Sequence, residues 1–241
     1  MPGARPRTYV LIAGAWHGAW CWERLAPLLR QAGHRVLTPE LPATGADHTP
    51  AGEVTLDSWA RVVAEVVSTA TEPVLVGHSR GGIVISRAAE LVPERIGGLV
   101  YLSAYLLPAG ATLAAEARAD RGSLVPAHMI PADSGLTCTL RPDVVRDAFY
   151  GDCDAETAAF AAARLSPEPL KPLVTPLKVT VARFGSVPRA YIECTRDRTV
   201  SLESQRRMQS AWPCQPVITL ESDHSPFLSH PRELADALAA L

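Results

Sequence analysis

The chain has 241 residues, 47% hydrophobic and 20% charged, with a formal net charge of −2. That is ordinary for a globular protein with a large core, and it lacks the basic excess that a nucleic-acid partner requires. No apolar run is long enough to span a bilayer, so nucleic acid and membrane are both set aside as partners.

The five cysteines are odd in number and include no C-x-x-C. Neither a metal site nor a disulfide framework is expected, and buried free thiols are. The basic opening "MPGARPR" followed by "TYVLIAGAW" faintly mimics a signal peptide. The apolar run is broken at once by His17, and charge returns at Glu23 and Arg24 with no small-residue cleavage site between. It reads as a first strand of a cytoplasmic protein. Lys171 and Lys178 are the only lysines among abundant arginine and alanine, which suggests a GC-rich, bacterial genome.

In chain order, "TYVLIA" (8–13) is a continuous apolar run suited to a buried parallel strand. "WERLAPLLRQAG" carries Trp22, Leu25, Leu28 and Leu29 at helical spacing, and Gly33 ends it. "HRVLTPE" is a second strand. "LDSWARVVAEVVSTA" is an amphipathic helix with Trp59, Val62, Val63, Val66 and Val67 on one side. "PVLVGH" is a third strand, "GGIVISRAAELV" a helix and "IGGLVYLSA" a fourth strand. The rhythm breaks after Ala104. From about 105 to 188 prolines crowd together with short helical patches such as "DAETAAFAAARL", and this segment reads as a mostly helical lid insertion. Strand and helix then resume with "RAYIEC", "SLESQRRMQSAW", "PVITLES" and "PRELADALAAL", where Pro231 fits a helical first turn. Alternating strands and helices predict one α/β domain over 1–241, with a mainly parallel sheet flanked on both faces.

Gly77-His78-Ser79-Arg80-Gly81 is a G-x-S-x-G pattern between a strand and a helix, the context of a nucleophile elbow. Its tight turn forces strained angles on the serine, and glycines avoid collisions around it. A serine hydroxyl needs a base. Of the seven histidines, His224 lies on a loop directly after a late strand, in "ESDHSPF". His78 adjoins the serine in a turn where neighbours point apart, His17 shapes the first loop, His230 precedes or caps the last helix, and His34, His48 and His128 are loop or surface residues. The imidazole needs an acid from another strand end. Asp197, in "ECTRDRTV", fits; its alternative is a turn aspartate that caps the next helix. After the fourth strand Ser103 stands where a carboxylate could have been. Asp223 is too close in sequence to the base, Glu193 lies within a strand and Glu203 past the turn. An anionic intermediate needs two backbone N–H donors, one from Arg80 and one from the first loop, assigned to Ala15.

The motifs "GAWHGAWCWERLAPLL", "VLVGHSRGGIVIS", "VPERIGGLVYLSAYLLPAG", "TRDRTV" and "SDHSPFLSHP" resemble the α/β-hydrolase superfamily over nearly the whole chain. The likeness is to the branch of plant methyl-salicylate and methyl-jasmonate esterases, hydroxynitrile lyases and their bacterial esterase relatives. The resemblance implies a Ser79–His224–Asp197 triad, donors from Ala15 and Arg80, and no cofactor or metal. Two departures stand out. Ala13-Gly14 replaces the His-Gly usual in that family, and Arg80 replaces a residue that is often aromatic or apolar. The Arg80 side chain either meets a substrate carboxylate or polar oxygen, or packs structurally. The lyases' lysine after the base and threonine in the first loop are replaced by Ser225 and Gly14, which points to ester hydrolysis.

Cleavage of small, mostly apolar carboxylic esters, methyl or aryl among them, is therefore the leading expectation. The alternatives are a tailoring enzyme of secondary metabolism that cyclises, decarboxylates or cleaves carbon–carbon bonds, and a non-catalytic small-molecule receptor. Gly14, Trp16 and Met129 are candidate substrate contacts. Phe149, Phe160 and Phe184 are candidate pocket or insertion-core residues, and the chain is expected to be a monomer or homodimer.

Overall fold

The apolar runs become strands of one central sheet because both of its faces are covered. In the computed structural model, which describes residues 6–241, the strands are β1 (Thr8–Ile12), β2 (Arg35–Leu37), β3 (Val74–His78), β4 (Gly98–Leu102), β5 (Met129–Ala132), β6 (Thr137–Leu140), β7 (Glu168–Pro169), β8 (Arg189–Cys194) and β9 (Val217–Leu220). Residues 1–5 of the basic opening lie outside the described residues. The helices are α1 (Leu25–Gln31), α2 (Leu56–Val67), α3 (Gly81–Leu91), α4 (Leu113–Ala119), α5 (Pro142–Phe149), α6 (Ala155–Ala162), α7 (Leu170–Val174), α8 (Leu202–Ala211), α9 (Pro226–Ser229) and α10 (Pro231–Ala239).

The main sheet runs β2-β1-β3-β4-β8-β9, with every pairing parallel. Successive side chains of a strand face opposite ways, so each strand feeds two cores. Val10 and Ile12 of β1, Leu75 of β3 and Tyr101 of β4 pack with Trp59 and Val63 of α2 and Ile85 of α3. Tyr9 and Leu11, Val76 and Leu102 pack on the other face with Leu25 and Leu29 of α1 and Leu234 of α10. Such two-sided burial is why these strands read as continuous apolar runs rather than alternating ones.

Helix α2 starts where it does because Thr55 caps it. Thr55 Oγ1 accepts from Ser58 N–H at 3.0 Å and Ser58 Oγ accepts from Thr55 N–H at 3.0 Å. A reciprocal cap of this kind contributes about 1 kcal/mol.

The β4–β8 connection departs from its expected content. Besides α4 to α7 it holds a small antiparallel sheet, β5-β6-β7, with Met129 opposite Leu140 and Cys138 opposite Glu168. These strands have four residues or fewer and two contain proline, too short for a period of two to register. All five cysteines are free, and four of them are buried. No helix among the described residues is long and apolar enough to cross a membrane.

Candidate active site

Parallel strands deliver their carboxyl ends to one rim of the sheet, where ligands bind in open α/β folds. The loops after β1, β3, β8 and β9 therefore meet there, and they carry Ala15, Ser79, Asp197 and His224.

Ser79 directly follows β3 with φ +51°, a left-handed conformation that costs a serine roughly 1–2 kcal/mol. The turn has no room for a Cβ at its glycines. One built on Gly77 would lie 2.7 Å from the Gly81 carbonyl, and one on Gly82 would lie 2.5 Å from Tyr105 O. The Ser79 carbonyl accepts from Gly82 N–H and Tyr105 N–H, each at 3.0 Å, which holds the strained turn in place. The collision-avoiding glycines expected from the sequence are therefore demanded by backbone, not by side chains.

The structure brings Asp197 and His224 together. His224 Nδ1 lies 2.6 Å from Asp197 Oδ2, with both side chains buried. The other carboxylate oxygen accepts from Thr199 N–H at 2.6 Å and Val200 N–H at 2.9 Å. Asp197 thus does two things at once: one oxygen shapes the turn and the other faces the imidazole, while the next helix is capped by Ser201 rather than by Asp197. Ser103, the residue found where a carboxylate was sought, donates its hydroxyl to Asp197 Oδ2. With Nδ1–H directed at the carboxylate, Nε2 is the nitrogen free to take a proton.

His78 has a role that the sequence did not disclose. Its ring lies 4.4 Å from that of His224, and Nε2–H donates to His224 O at 2.9 Å. It points away from the cavity but fixes the backbone of the loop that carries His224. Burial pushes both His78 and His17 down, His17 to about 3, so both are neutral. His17 shapes the first loop as expected: Nδ1–H donates to Ala15 O at 2.7 Å, and Nε2 accepts from the Tyr150 hydroxyl at 2.8 Å. His230 caps α10.

The Arg80 side chain packs inward. It is 1% exposed and lies beside the equally buried Glu168, with Nε 3.0 Å from Oε1. The N–H is not aimed along the hydrogen-bond direction, so the contact is chiefly ionic. One terminal nitrogen donates to Gly14 O at 2.9 Å, and the guanidinium carbon lies 4.3 Å from the centre of the Trp59 ring. The second Glu168 oxygen accepts from Trp16 N–H at 2.9 Å. Burial raises the Glu168 carboxyl against the pull of Arg80, whereas an arginine stays protonated at any ordinary pH. Glu168 sits in "SPEPL", where nothing but the unexplained Arg80 hinted at a buried acid.

A cavity of about 360 Å³ opens at this rim. Ser79, Arg80, Ala15, Trp16 and Met129 line it, with an apolar wall from α4 and α7 that includes Leu113 and Leu173. Gly14 is not part of the lining. It lies beneath, where a Cβ would meet His78 Nδ1 at 2.7 Å. Phe149 packs against Trp16 and His224, whereas Phe184 packs on Trp212 and Phe160 is half exposed beside Arg164. Ala15 N–H and Arg80 N–H donate to no group among the described residues. A larger hollow of about 700 Å³ lies at the opposite end of the strands, beside Arg7, Arg35 and Gly97. It holds none of these groups.

Asp152, Asp223 and His230 gather their ligand atoms within 4.8 Å of one another. Arg196 already neutralises Asp152 at 2.9 Å, and Asp223 accepts from Ser225 N–H and Ser229 Oγ. This cluster organises the His224 loop.

Residues 9–237 match the model of the alpha/beta hydrolase family. The chain is 32% identical to a pyrethroid hydrolase of Sphingobium wenxiniae, over 95% of this chain and 85% of that one. It is 29% identical to methylesterase 2 of Arabidopsis thaliana, over 98% and 96%. Methylketone synthase I of tomato, in complex with 2-tridecanone, superposes with a TM-score of 0.83 at 26% identity, over 98% and 97% of the two chains. With its parallel sheet, its strained serine turn and this likeness along its length, the chain belongs to the alpha/beta hydrolase family.

Proposed function

We propose that this protein is a serine hydrolase of small, mostly apolar carboxylic esters. Ser79 Oγ attacks the ester carbonyl while His224 Nε2 takes its proton. Asp197 holds the imidazole by Nδ1 and supports its positive charge. The tetrahedral oxyanion is received by the Ala15 and Arg80 amides. His224 then protonates the leaving alcohol, and water, deprotonated by the same imidazole, releases the acid from Ser79.

The observation that carries this reading is Ser79 itself: a serine held at φ +51° on a cavity that it shares with the two free amides. The esterase and hydrolase names of the relatives support it. The apolar wall favours an apolar acyl or aryl group. On this reading residues 105–188 form a lid within one domain, and the protein works in the cytoplasm as a monomer or homodimer, without cofactor or metal. A second reading, a tailoring reaction on a β-keto or polyketide-like substrate, is favoured by the likeness to methylketone synthase I, a variant of which has been solved with β-ketoheptanoate.

The test is hydrolysis of short p-nitrophenyl and methyl aryl esters by the wild type and by Ser79→Ala. Turnover should fall by about 10⁶-fold in a folded mutant; substantial residual turnover overturns the assignment. A folded wild type that leaves these esters intact but consumes a β-keto acid favours the second reading.

A further inference from the structure

Arg80 is joined to the first loop in a way that packing alone does not require. Its terminal nitrogen donates to Gly14 O, and that carbonyl belongs to the same peptide group as Ala15 N–H. The next peptide is fixed at both ends, with Ala15 O accepting from His17 Nδ1 and Trp16 N–H donating to Glu168 Oε2. Arg80 and Glu168 thus grip the loop on either side of Ala15. Glu168 belongs to β7, and the connection that carries β7 adds two further ties, Ser166 N–H to Trp16 O at 2.9 Å and Trp16 Nε1–H to Cys138 O at 3.0 Å. Trp16 is meanwhile held at φ +63°, so the loop is kept in a form that it would not adopt alone.

A fully buried ion pair is a poor way to gain stability, since desolvation offsets most of its attraction and an apolar pair does as well. What it gives here is direction. A hydrogen bond to an amide oxygen polarises the whole amide and strengthens its N–H as a donor. The effect is largest when the donor to that oxygen is charged.

We infer that the Arg80 side chain, seated by Glu168, is a positioning group that fixes and polarises the Gly14–Ala15 peptide so that Ala15 N–H meets the oxyanion. This rests on the proposed assignment of Ala15 as an oxyanion donor. Arg80 then serves both donors, one through its own backbone N–H and the other through its side chain.

The test compares wild type, Arg80→Lys and the double variant Arg80→Met/Glu168→Leu, which leaves no unpaired buried charge. The readouts are kcat and KM on p-nitrophenyl acetate and inhibition by a trifluoromethyl ketone, whose serine adduct places an anion on the same donors. In the double variant kcat should fall about 10- to 100-fold while KM stays within about threefold, as for a misplaced transition-state contact. Inhibition by the ketone should weaken by the same factor. Lysine keeps the charge but lacks the fork that reaches Glu168 and Gly14 O together, so Arg80→Lys should lose kcat in the same sense. If the double variant does not fold, Arg80→Lys alone decides. Unchanged kcat and ketone affinity in a folded variant overturn the inference, as does a loss confined to KM. Ser79→Ala, run alongside, separates the two failures: turnover that survives there removes the serine mechanism itself, whereas turnover lost there and kept in the Arg80 variants removes only the positioning role.

Discussion

Two buried carboxylates flank the serine turn, and they are built alike. Asp197 accepts two backbone N–H bonds and faces His224; Glu168 accepts one and faces Arg80. Both side chains are buried. What separates them is the partner. A histidine can take and give a proton near neutrality, whereas an arginine cannot. On the proposed reading the first pair therefore moves charge during turnover and the second holds geometry throughout it.

The sharpest way to break this comparison is Asp197→Asn. It keeps shape but cannot hold the imidazole in the useful tautomer, and kcat should drop by about 10⁴-fold with little change in unfolding temperature. A drop of tenfold or less, by rough measure, would place the two centres in one class. Next in size is Arg80→Met alone, which strands a carboxylate in an apolar interior. Stability to urea should fall by about 3–5 kcal/mol and recover largely when Glu168 is also made apolar.

The last effect is graded and appears only in acid. Burial holds His17 to about 3 and His78 well below its ordinary value, whereas unfolded histidine titrates near 6.5. Between those values the unfolded chain binds protons that the native state refuses, so stability rises with pH. On acidification below about pH 6.5 the unfolding free energy should fall by up to about 1.4 kcal/mol per pH unit for each histidine, and His17→Gln should remove its share. Glu168 acts in the opposite sense. Its carboxyl is raised by burial, so its contribution is full below the ordinary carboxylate range and fades as pH climbs through the raised value. Urea curves collected across pH give the sign of the sum, and a protein that gained stability on acidification would put Glu168 ahead of the histidines.

The sheet was legible because two-sided burial writes its central strands β1, β3 and β4 as largely apolar runs. The serine turn was legible because steric crowding admits only glycine at fixed offsets. Asp197 and His224 followed from where parallel strands must end. Glu168 was not legible. A glutamate in a proline-rich stretch looks solvated, and only its distance in space from Arg80, not in sequence, gives it meaning. The same holds for His78, whose partner is a backbone carbonyl 146 residues away. The β5-β6-β7 sheet escaped because strands of two to four residues carry no periodicity.

The pairing of Arg80 with Glu168 has a consequence for descent. The two positions lie 88 residues apart in the sequence, yet a mutation that removes either one strands the other's charge, so neither is free to drift by itself. Lineages that carry a small or apolar residue after the serine should carry no acid at position 168, and those that keep the arginine should keep the acid. Physically, the two sites should then be inherited as one character, written in two places.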